Sequence, residues 1–135
     1  DVYKRQAKRL GLEGSVFIES SMKFDELALL YRVSDLVVYP SYYEGQGLIP
    51  LESMASGTPV ATVNHGPLPE MVDSSVGSLF TMGDINSMSE VILSELNDKS
   101  KLLEKGRSGR NLVCEKFTFK QNAIDFLNLY ESIVN

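Results

Sequence analysis

The chain has 135 residues, a formal net charge of −5 and 43% hydrophobic residues, enough for one domain whose single core needs no metal or disulfide. The acidic balance, with no Lys/Arg cluster longer than Lys4-Arg5, argues against nucleic acid or an anionic membrane as the main partner. No stretch approaches the roughly 20 apolar residues of a membrane span and no signal peptide is recognisable, so a cytosolic location is expected. The lone Cys114 excludes a disulfide framework and is predicted to be a buried or half-buried thiol.

The sequence begins at Asp1 rather than Met, which predicts a piece of a longer protein. Residues 1–6 are a candidate for non-native or linker sequence. No linker divides the remainder, so residues 1–135 are predicted to form one incomplete domain.

Short apolar runs predict the strands. They lie at residues 16–19, 36–39 and 59–63, with a further short edge strand at 78–80. The run at 36–39 is uninterrupted, rich in β-branched residues and ended by Pro40, which is typical of a strand buried on both faces of a parallel sheet.

Helices are predicted after the first two of these runs. Apolar residues at helical spacing predict the first helix at residues 24–34, and the second is predicted at residues 48–56. In the second helix, Pro50 suits the first turn and Gly57 suits the left-handed position that ends a helix.

From residue 84 onward the pattern is wholly helical. Ser87 and Glu90 match a capping box, a helix is predicted at 100–115, and Thr118 with Gln121 matches a second capping box that opens the last helix. Strands that alternate with helices predict an α/β fold, a small Rossmann-like parallel sheet with a C-terminal helical tail.

The segment from Pro40 to Glu52 carries the clearest chemical signal. A predicted strand runs into a loop with two glycines, Gly45 and Gly47, and then into a helix N-terminus. Unpaired amides and the positive end of the helix dipole favour an anion there, and the glycines let a phosphate approach the backbone. The loop also follows the carboxyl end of a parallel strand, where open α/β sheets bind ligands.

Two carboxylates flank this predicted anion site. Glu44 lies in the loop and Glu52 in the helix, and their expected role is to accept hydrogen bonds from neutral hydroxyls such as those of a sugar. Two structural alternatives stay open: Glu44 as a solvated loop acid, and Glu52 as a first-turn acid that complements the helix dipole.

A second loop, residues 64–70, follows the next strand at the same sheet edge and would face the same cleft. His65 and Gly66 are secondary candidates in it, with a solvated His65 as the alternative to a catalytic one. Glu70 is a third candidate, with capping of the next turn as its alternative. Tyr42 and Tyr43 either pack on a ligand ring or are buried beside the sheet.

In this order and spacing the residues resemble the C-terminal half of a retaining glycosyltransferase of the GT-B class, in particular the glycosyl transferases group 1 family, also called family 4. The resemblance covers about residues 16–134. It rests on Leu27 to Tyr31 with Asp35, Pro40-Ser41, Tyr43-Glu44-Gly45, the Glu-x7-Glu pair of Glu44 and Glu52, the segment Met54 to Val60, Gly66 with Pro69-Glu70, and Phe117-Thr118-Phe119.

The resemblance implies transfer of a sugar from a UDP-, GDP- or ADP-sugar to an acceptor, with retention of anomeric configuration and without a metal or other cofactor. Glu44 would be the catalytic residue and contact donor-sugar hydroxyls, while Glu52 would contact the ribose. The loop and helix start would complete the donor site and contact the diphosphate and sugar; these residues are Gly45, Gln46, Gly47, Leu48 and Ile49.

The resemblance also implies that parts of the enzyme lie outside this sequence. An acceptor-binding N-terminal domain and a basic Arg and Lys pair would lie upstream, so the chain alone is expected to be inactive. The last helix would normally pack on that domain, so its apolar face is expected to be exposed and to favour self-association.

Two positions depart from the family pattern. Gln46 stands where the family most often has Phe, and Glu19 or Ser20 stands where it commonly has Gly. They leave a noncatalytic Rossmann-like binding module as the alternative. A phosphoacceptor receiver domain fits less well, because Asp35 precedes its strand rather than following it.

Overall fold

The computed structural model describes residues 2–134, in which helices surround a three-stranded sheet. The strands are short, and every connection between consecutive strands contains a helix. The elements in chain order are α1 (Val2–Arg9), α2 (Phe24–Val33), β1 (Val37–Tyr39), α3 (Leu48–Ala55), β2 (Val60–Val63), α4 (Leu68–Met71), β3 (Gly77–Phe80), α5 (Ile85–Leu96), α6 (Lys99–Lys116) and α7 (Phe119–Val134).

The sheet is parallel throughout, in the order β1-β2-β3. All four residues of the central strand β2 are buried, as expected for a strand covered on both faces. The predicted α/β class, the parallel sheet and the strands at residues 36–39, 59–63 and 78–80 are confirmed. The predicted burial of the strand at 36–39 on both faces is wrong, because β1 lies at the edge of the sheet and its residues are half-buried. Parallel pairing directs the carboxyl ends of all three strands to one edge, where the loops after Tyr39 and Val63 lie side by side.

The predicted strand at residues 16–19 is wrong. This segment has no strand structure, and Phe17 is 84% exposed. Within residues 2–134, β1 pairs only with β2, and the segment joins no ladder. An apolar run without ladder bonds or a covered face gains little by becoming a strand.

The caps of the C-terminal helices differ in part from prediction. Asp84 caps the N-terminus of α5, and its carboxylate accepts a hydrogen bond from the Ser87 amide at 3.0 Å, so the predicted capping box starting at Ser87 is wrong. Thr118 does cap α7, because its hydroxyl accepts from the Gln121 amide at 3.1 Å. The Gln121 side chain donates to Asp125 instead of completing the box.

Helix α6 packs closely on α3 through two glycines. A Cβ at Gly106 would lie 2.2 Å from the Gly57 carbonyl oxygen, so only glycine fits that backbone contact. A Cβ at Gly109 would lie 3.0 Å from Cγ of Met54, a fully buried core residue. The glycines therefore set the distance between α6 and the helix that follows the β1 loop.

A buried ion pair joins α5, α6 and the edge strand β3. Lys105 (3% exposed) contacts the carboxylate of Glu95 (7% exposed) at 2.6 Å. The Lys105 ammonium also donates to the Gly77 carbonyl at 2.8 Å and to the Ser78 hydroxyl at 3.0 Å. Burial raises the pKa of Glu95, but hydrogen bonds from Lys105 and Ser78 and the Lys105 charge outweigh it, so the pKa lies below its ordinary value.

The outer helices contribute little to the core. Helices α1 and α7 have no buried residues, and the apolar face of α7 is exposed as expected, with the Phe126 and Tyr130 rings 6.2 Å apart. Cys114 lies in the last turn of α6, beyond the glycines that contact α3, and is exposed, so the predicted burial of its thiol is wrong. Across residues 2–134, every helix is too short or too polar to cross a bilayer.

Candidate functional site

The loop after β1 leads directly into the N-terminus of α3, as predicted. Gly47 precedes the helix with a φ of 86°, in the left-handed region that favours glycine. Glycine has no side chain that could cap the helix, so the amides of Leu48 and Ile49 are left for water or a ligand. Pro50 in the first turn has no amide hydrogen. This helix N-terminus therefore offers two backbone donors and the positive end of the dipole.

Gly47 also fixes the position of α4 beside this helix N-terminus. A Cβ at Gly47 would lie 2.7 Å from Cδ2 of Leu68 and 2.9 Å from Cε of Met71. The close packing brings the loop after β2 against the loop after β1. Gly45 differs, because its φ is not positive and no atom lies within 4 Å of a Cβ built there.

Tyr39, the last residue of β1, holds the Glu44 carboxylate in place. The Tyr39 hydroxyl donates a hydrogen bond to Oε1 of the half-buried Glu44 carboxylate. This bond and one from the Ser41 hydroxyl lower the pKa of Glu44 below its ordinary value, and the Gly47 amide adds to the effect. The same Glu44 bond raises the pKa of Tyr39. Glu44 is therefore an ionised acceptor at neutral pH, and Tyr39 is a donor.

Glu52 is held in the same manner by α2. Tyr31, 8% exposed, donates through its hydroxyl to Oε2 of Glu52 at 3.2 Å. Burial, the Glu52 charge and this hydrogen bond raise the pKa of Tyr31 to about 12, so the phenol stays protonated. Glu52 lies in the second turn of α3, which rules out its alternative interpretation as a first-turn acid.

The two strand-end loops face one small cavity of about 90 Å³. Glu44 lies on one side of it and His65 and Gly66 on the other, so the predicted juxtaposition of these loops is confirmed. The lining residues are Ser41, Tyr42, Tyr43, Glu44, His65, Gly66 and Leu68.

The remaining predicted residues lie outside that cavity. Glu52 faces a separate cavity of about 110 Å³ between α2 and α3, which Tyr31 also lines. Glu70 is exposed in α4, and Gln46 is exposed in the loop. Among residues 2–134 there is no group of three or more His, Cys, Asp or Glu side chains that could hold a metal ion.

Sequence reasoning missed the two tyrosines that hold the acids. It singled out Tyr42 and Tyr43, which are exposed, and treated Tyr31 and Tyr39 as apolar positions of a helix and a strand. A signal was available, because a tyrosine in a buried position must find a hydrogen-bond partner for its hydroxyl. A carboxylate is the strongest such acceptor.

The geometry defines a Rossmann-like domain, with its candidate site at the carboxyl ends of the strands. The model of the family described as "Glycosyl transferases group 1" matches residues 1–111. The chain belongs to this family.

Relatives and solved structures agree with this assignment. The chain is 32% identical over 127 residues to the MMP alpha-(1->4)-mannosyltransferase of Mycolicibacterium hassiacum, covering 93% of the chain and 31% of that protein. It is similar to the sucrose-phosphate synthase structure from Thermosynechococcus elongatus, with a TM-score of 0.86, 28% identity, and coverage of 98% of this chain and 33% of that one.

A third similar structure contains ligands. It is a mutant of S. aureus TarM in complex with fondaparinux, alpha-GlcNAc-glycerol and UDP, with a TM-score of 0.79, 30% identity, and coverage of 93% of this chain and 26% of that one. The chain thus spans about a third of the length of the proteins it resembles.

Proposed function

We propose that this chain is the donor-binding part of a glycosyltransferase that moves a sugar from a nucleotide sugar to an acceptor. The observation that carries the proposal is the ionised Glu44, held by Tyr39 beside the α3 N-terminus that Gly47 leaves without a side-chain cap. Such a site combines an acceptor for sugar hydroxyls with donors for a phosphate. The family membership and the UDP bound by TarM support the same assignment.

The donor diphosphate would contact the backbone amides of Leu48 and Ile49. As the sugar–oxygen bond breaks, negative charge grows on the departing diphosphate. Fixed amides and the helix dipole stabilise this charge more in the transition state than in the ground state, which accelerates the reaction. Because the amides and the dipole supply this stabilisation, the proposed reaction needs no metal.

The two glutamates would recognise the neutral ends of the donor. An ionised carboxylate only accepts hydrogen bonds, so it suits hydroxyl groups rather than phosphate oxygens. Glu44, in the cavity between the two loops, would accept from hydroxyls of the transferred sugar and act as the catalytic residue. Glu52 would accept from the ribose hydroxyls. His65 and Gly66, on the other side of the cavity, would lie next to the sugar or the acceptor.

We assign the acceptor side of the cleft to the part of the protein outside this chain. The chain spans about a third of its relatives' length, and its own site residues come from only two loops and two helices. We therefore expect no transfer by the chain alone, and in the whole protein a retaining reaction in the cytosol.

The proposal predicts a split between the two glutamates in binding experiments. The chain is titrated calorimetrically with UDP, GDP and ADP, and with the sugar conjugate of whichever nucleotide binds. Glu52→Ala is expected to weaken binding of both nucleotide and conjugate roughly tenfold, because it removes a charged acceptor. Glu44→Ala is expected to reduce the affinity for the conjugate to that for the bare nucleotide, and to leave the nucleotide unaffected.

Matched controls separate this split from loss of folding. Glu104→Ala, an exposed acid on α6, serves as the control for removal of one negative charge. Circular dichroism checks that every variant is folded. Absence of nucleotide binding at millimolar concentration, or an unchanged affinity in Glu52→Ala, would contradict the proposed donor site.

We also propose that α7 mediates self-association of the chain. Its exposed apolar residues include Phe126, Leu127 and Tyr130, and burial of such a face in a second copy would remove it from water. Sedimentation equilibrium is expected to show a mass that rises with concentration. Leu127→Glu should keep the chain monomeric, whereas Asn128→Glu, which adds the same charge at the next exposed position, should not. Monomeric behaviour of the unaltered chain at all concentrations would contradict the proposal.

A further inference from the structure

We propose that Tyr31 and Tyr39 are positioning residues that aim the two site glutamates at the nucleotide sugar, each tyrosine binding one carboxylate oxygen. The inference rests on the proposed donor-binding function. It goes beyond the glutamate pair itself, since it assigns a function to residues of the elements α2 and β1 rather than to the ligand-facing loop and helix.

The contact between Tyr31 and Glu52 joins two helices. Tyr31 is the buried residue of α2, and its hydroxyl reaches Oε2 of Glu52 across the α2–α3 interface. A glutamate has three side-chain torsions and, half-buried at a helix surface, could turn toward water. The hydrogen bond from Tyr31 to one carboxylate oxygen restricts these torsions and keeps the carboxylate at the cavity between α2 and α3.

The contact between Tyr39 and Glu44 is its counterpart at the strand end. Tyr39 closes β1, and its hydroxyl binds Oε1 of Glu44 five residues further on. Glu44 lies in a loop, which by itself would leave its carboxylate mobile. Ser41 and the Gly47 amide, which also contact this carboxylate, belong to the loop itself, whereas the tyrosine ties the acid to the sheet.

Each tyrosine is itself fixed by a buried threonine. The Thr58 hydroxyl donates to the Tyr31 carbonyl at 2.6 Å, and the Thr62 hydroxyl donates to the Tyr39 carbonyl at 2.9 Å. Thr58 is 2% exposed and Thr62 is fully buried. Both phenols therefore project from a backbone that is anchored to a buried side chain, which is what a positioning donor requires.

The test removes each hydroxyl while keeping the ring. In the calorimetric titration described above, Tyr31→Phe is expected to weaken binding of the nucleotide and of its conjugate equally, by roughly three- to tenfold. Tyr39→Phe is expected to weaken binding of the conjugate only. Tyr3→Phe, on exposed α1, is the control and should bind as the unaltered chain does. Circular dichroism and thermal unfolding check the fold of each variant.

A double-mutant cycle distinguishes positioning from a merely structural effect. In a Glu52→Ala background, Tyr31→Phe should cause no further loss of affinity, because the side chain that it aims is gone. If Tyr31→Phe weakens binding by the same factor in both backgrounds, the inference is wrong.

If Glu52→Ala weakens binding while Tyr31→Phe does not, the inference is wrong but the proposed function stands. Failure of Glu52→Ala to weaken binding, or no binding by the unaltered chain, would instead overturn the proposed function and this inference with it.

Discussion

Replacing Lys105 by methionine is expected to lower the free energy of unfolding by about 3–5 kcal/mol, the loss typical of breaking a buried ion pair on one side. Lys105 is 3% exposed and gives hydrogen bonds to Glu95, Ser78 and the Gly77 carbonyl. Methionine fills similar space but leaves the Glu95 carboxylate buried without a counter-charge. Chemical denaturation monitored by circular dichroism measures the change.

Two further variants test that explanation. Lys120→Met, at an exposed position of α7, should change the free energy of unfolding by less than about 0.5 kcal/mol. Adding Glu95→Leu to Lys105→Met should recover most of the loss, because a buried pair replaced as a whole by apolar residues is often neutral. A double variant no more stable than Lys105→Met would refute the role of the unpaired charge.

The same pair has a pH signature. The folded-state pKa of Glu95 lies below its ordinary 4.5, so the pair contributes stability that is complete above that value. As the pH falls from 4.5 through the folded pKa, the carboxylate is protonated and this contribution is lost. The double variant should lack this component of acid destabilisation.

Gly47→Ala is expected to cost about 2–5 kcal/mol of folding free energy and to abolish nucleotide binding. An alanine at a φ of 86° is strained by about 1–2 kcal/mol. Its Cβ would also overlap Leu68 and Met71, for which overpacking adds about 1–3 kcal/mol. Relief of these contacts must move either the N-terminus of α3 or helix α4. Both movements displace the amides that are proposed to hold the diphosphate.

Gly45→Ala is the matched control for this change. It lies two residues earlier in the same loop, has no positive φ, and has open space where the methyl group would be placed. Its unfolding free energy should lie within about 0.5 kcal/mol of the unaltered chain. If Gly47→Ala is as stable as the unaltered chain and binds the nucleotide with the same affinity, the packing argument is wrong.

The sequence was informative wherever a local pattern and the tertiary environment agree. Residues 36–39 and 59–63 are mostly apolar and pair with each other in the parallel sheet, so the pattern alone identifies them as strands. The loop after β1 and the start of α3 were predictable because Gly47 and Pro50 have strong conformational preferences of their own. The position of the cavity then follows from parallel pairing of β1 with β2.

Other features depend on partners that are distant in sequence. The run at residues 16–19 has the composition of a strand, but composition does not provide a neighbour with which to pair. Asp84 and Ser87 both satisfy the local sequence preference for a helix N-cap, so the sequence alone did not show that Asp84 caps α5. Tyr31 meets Glu52 only after α2 packs on α3, a contact between residues 21 positions apart. No periodicity encodes such a meeting.

The fully buried strand β2, with parallel neighbours on both sides, gives the molecule an uneven resistance to opening. Its amide hydrogens can exchange with solvent only when the whole sheet separates, whereas α1 and α7, without a buried residue, can fray separately. The candidate site lies where the most protected strands end and the loops begin. Of the site's tyrosines and threonines, Tyr39 and Thr62 therefore belong to the slowest-opening part of the chain.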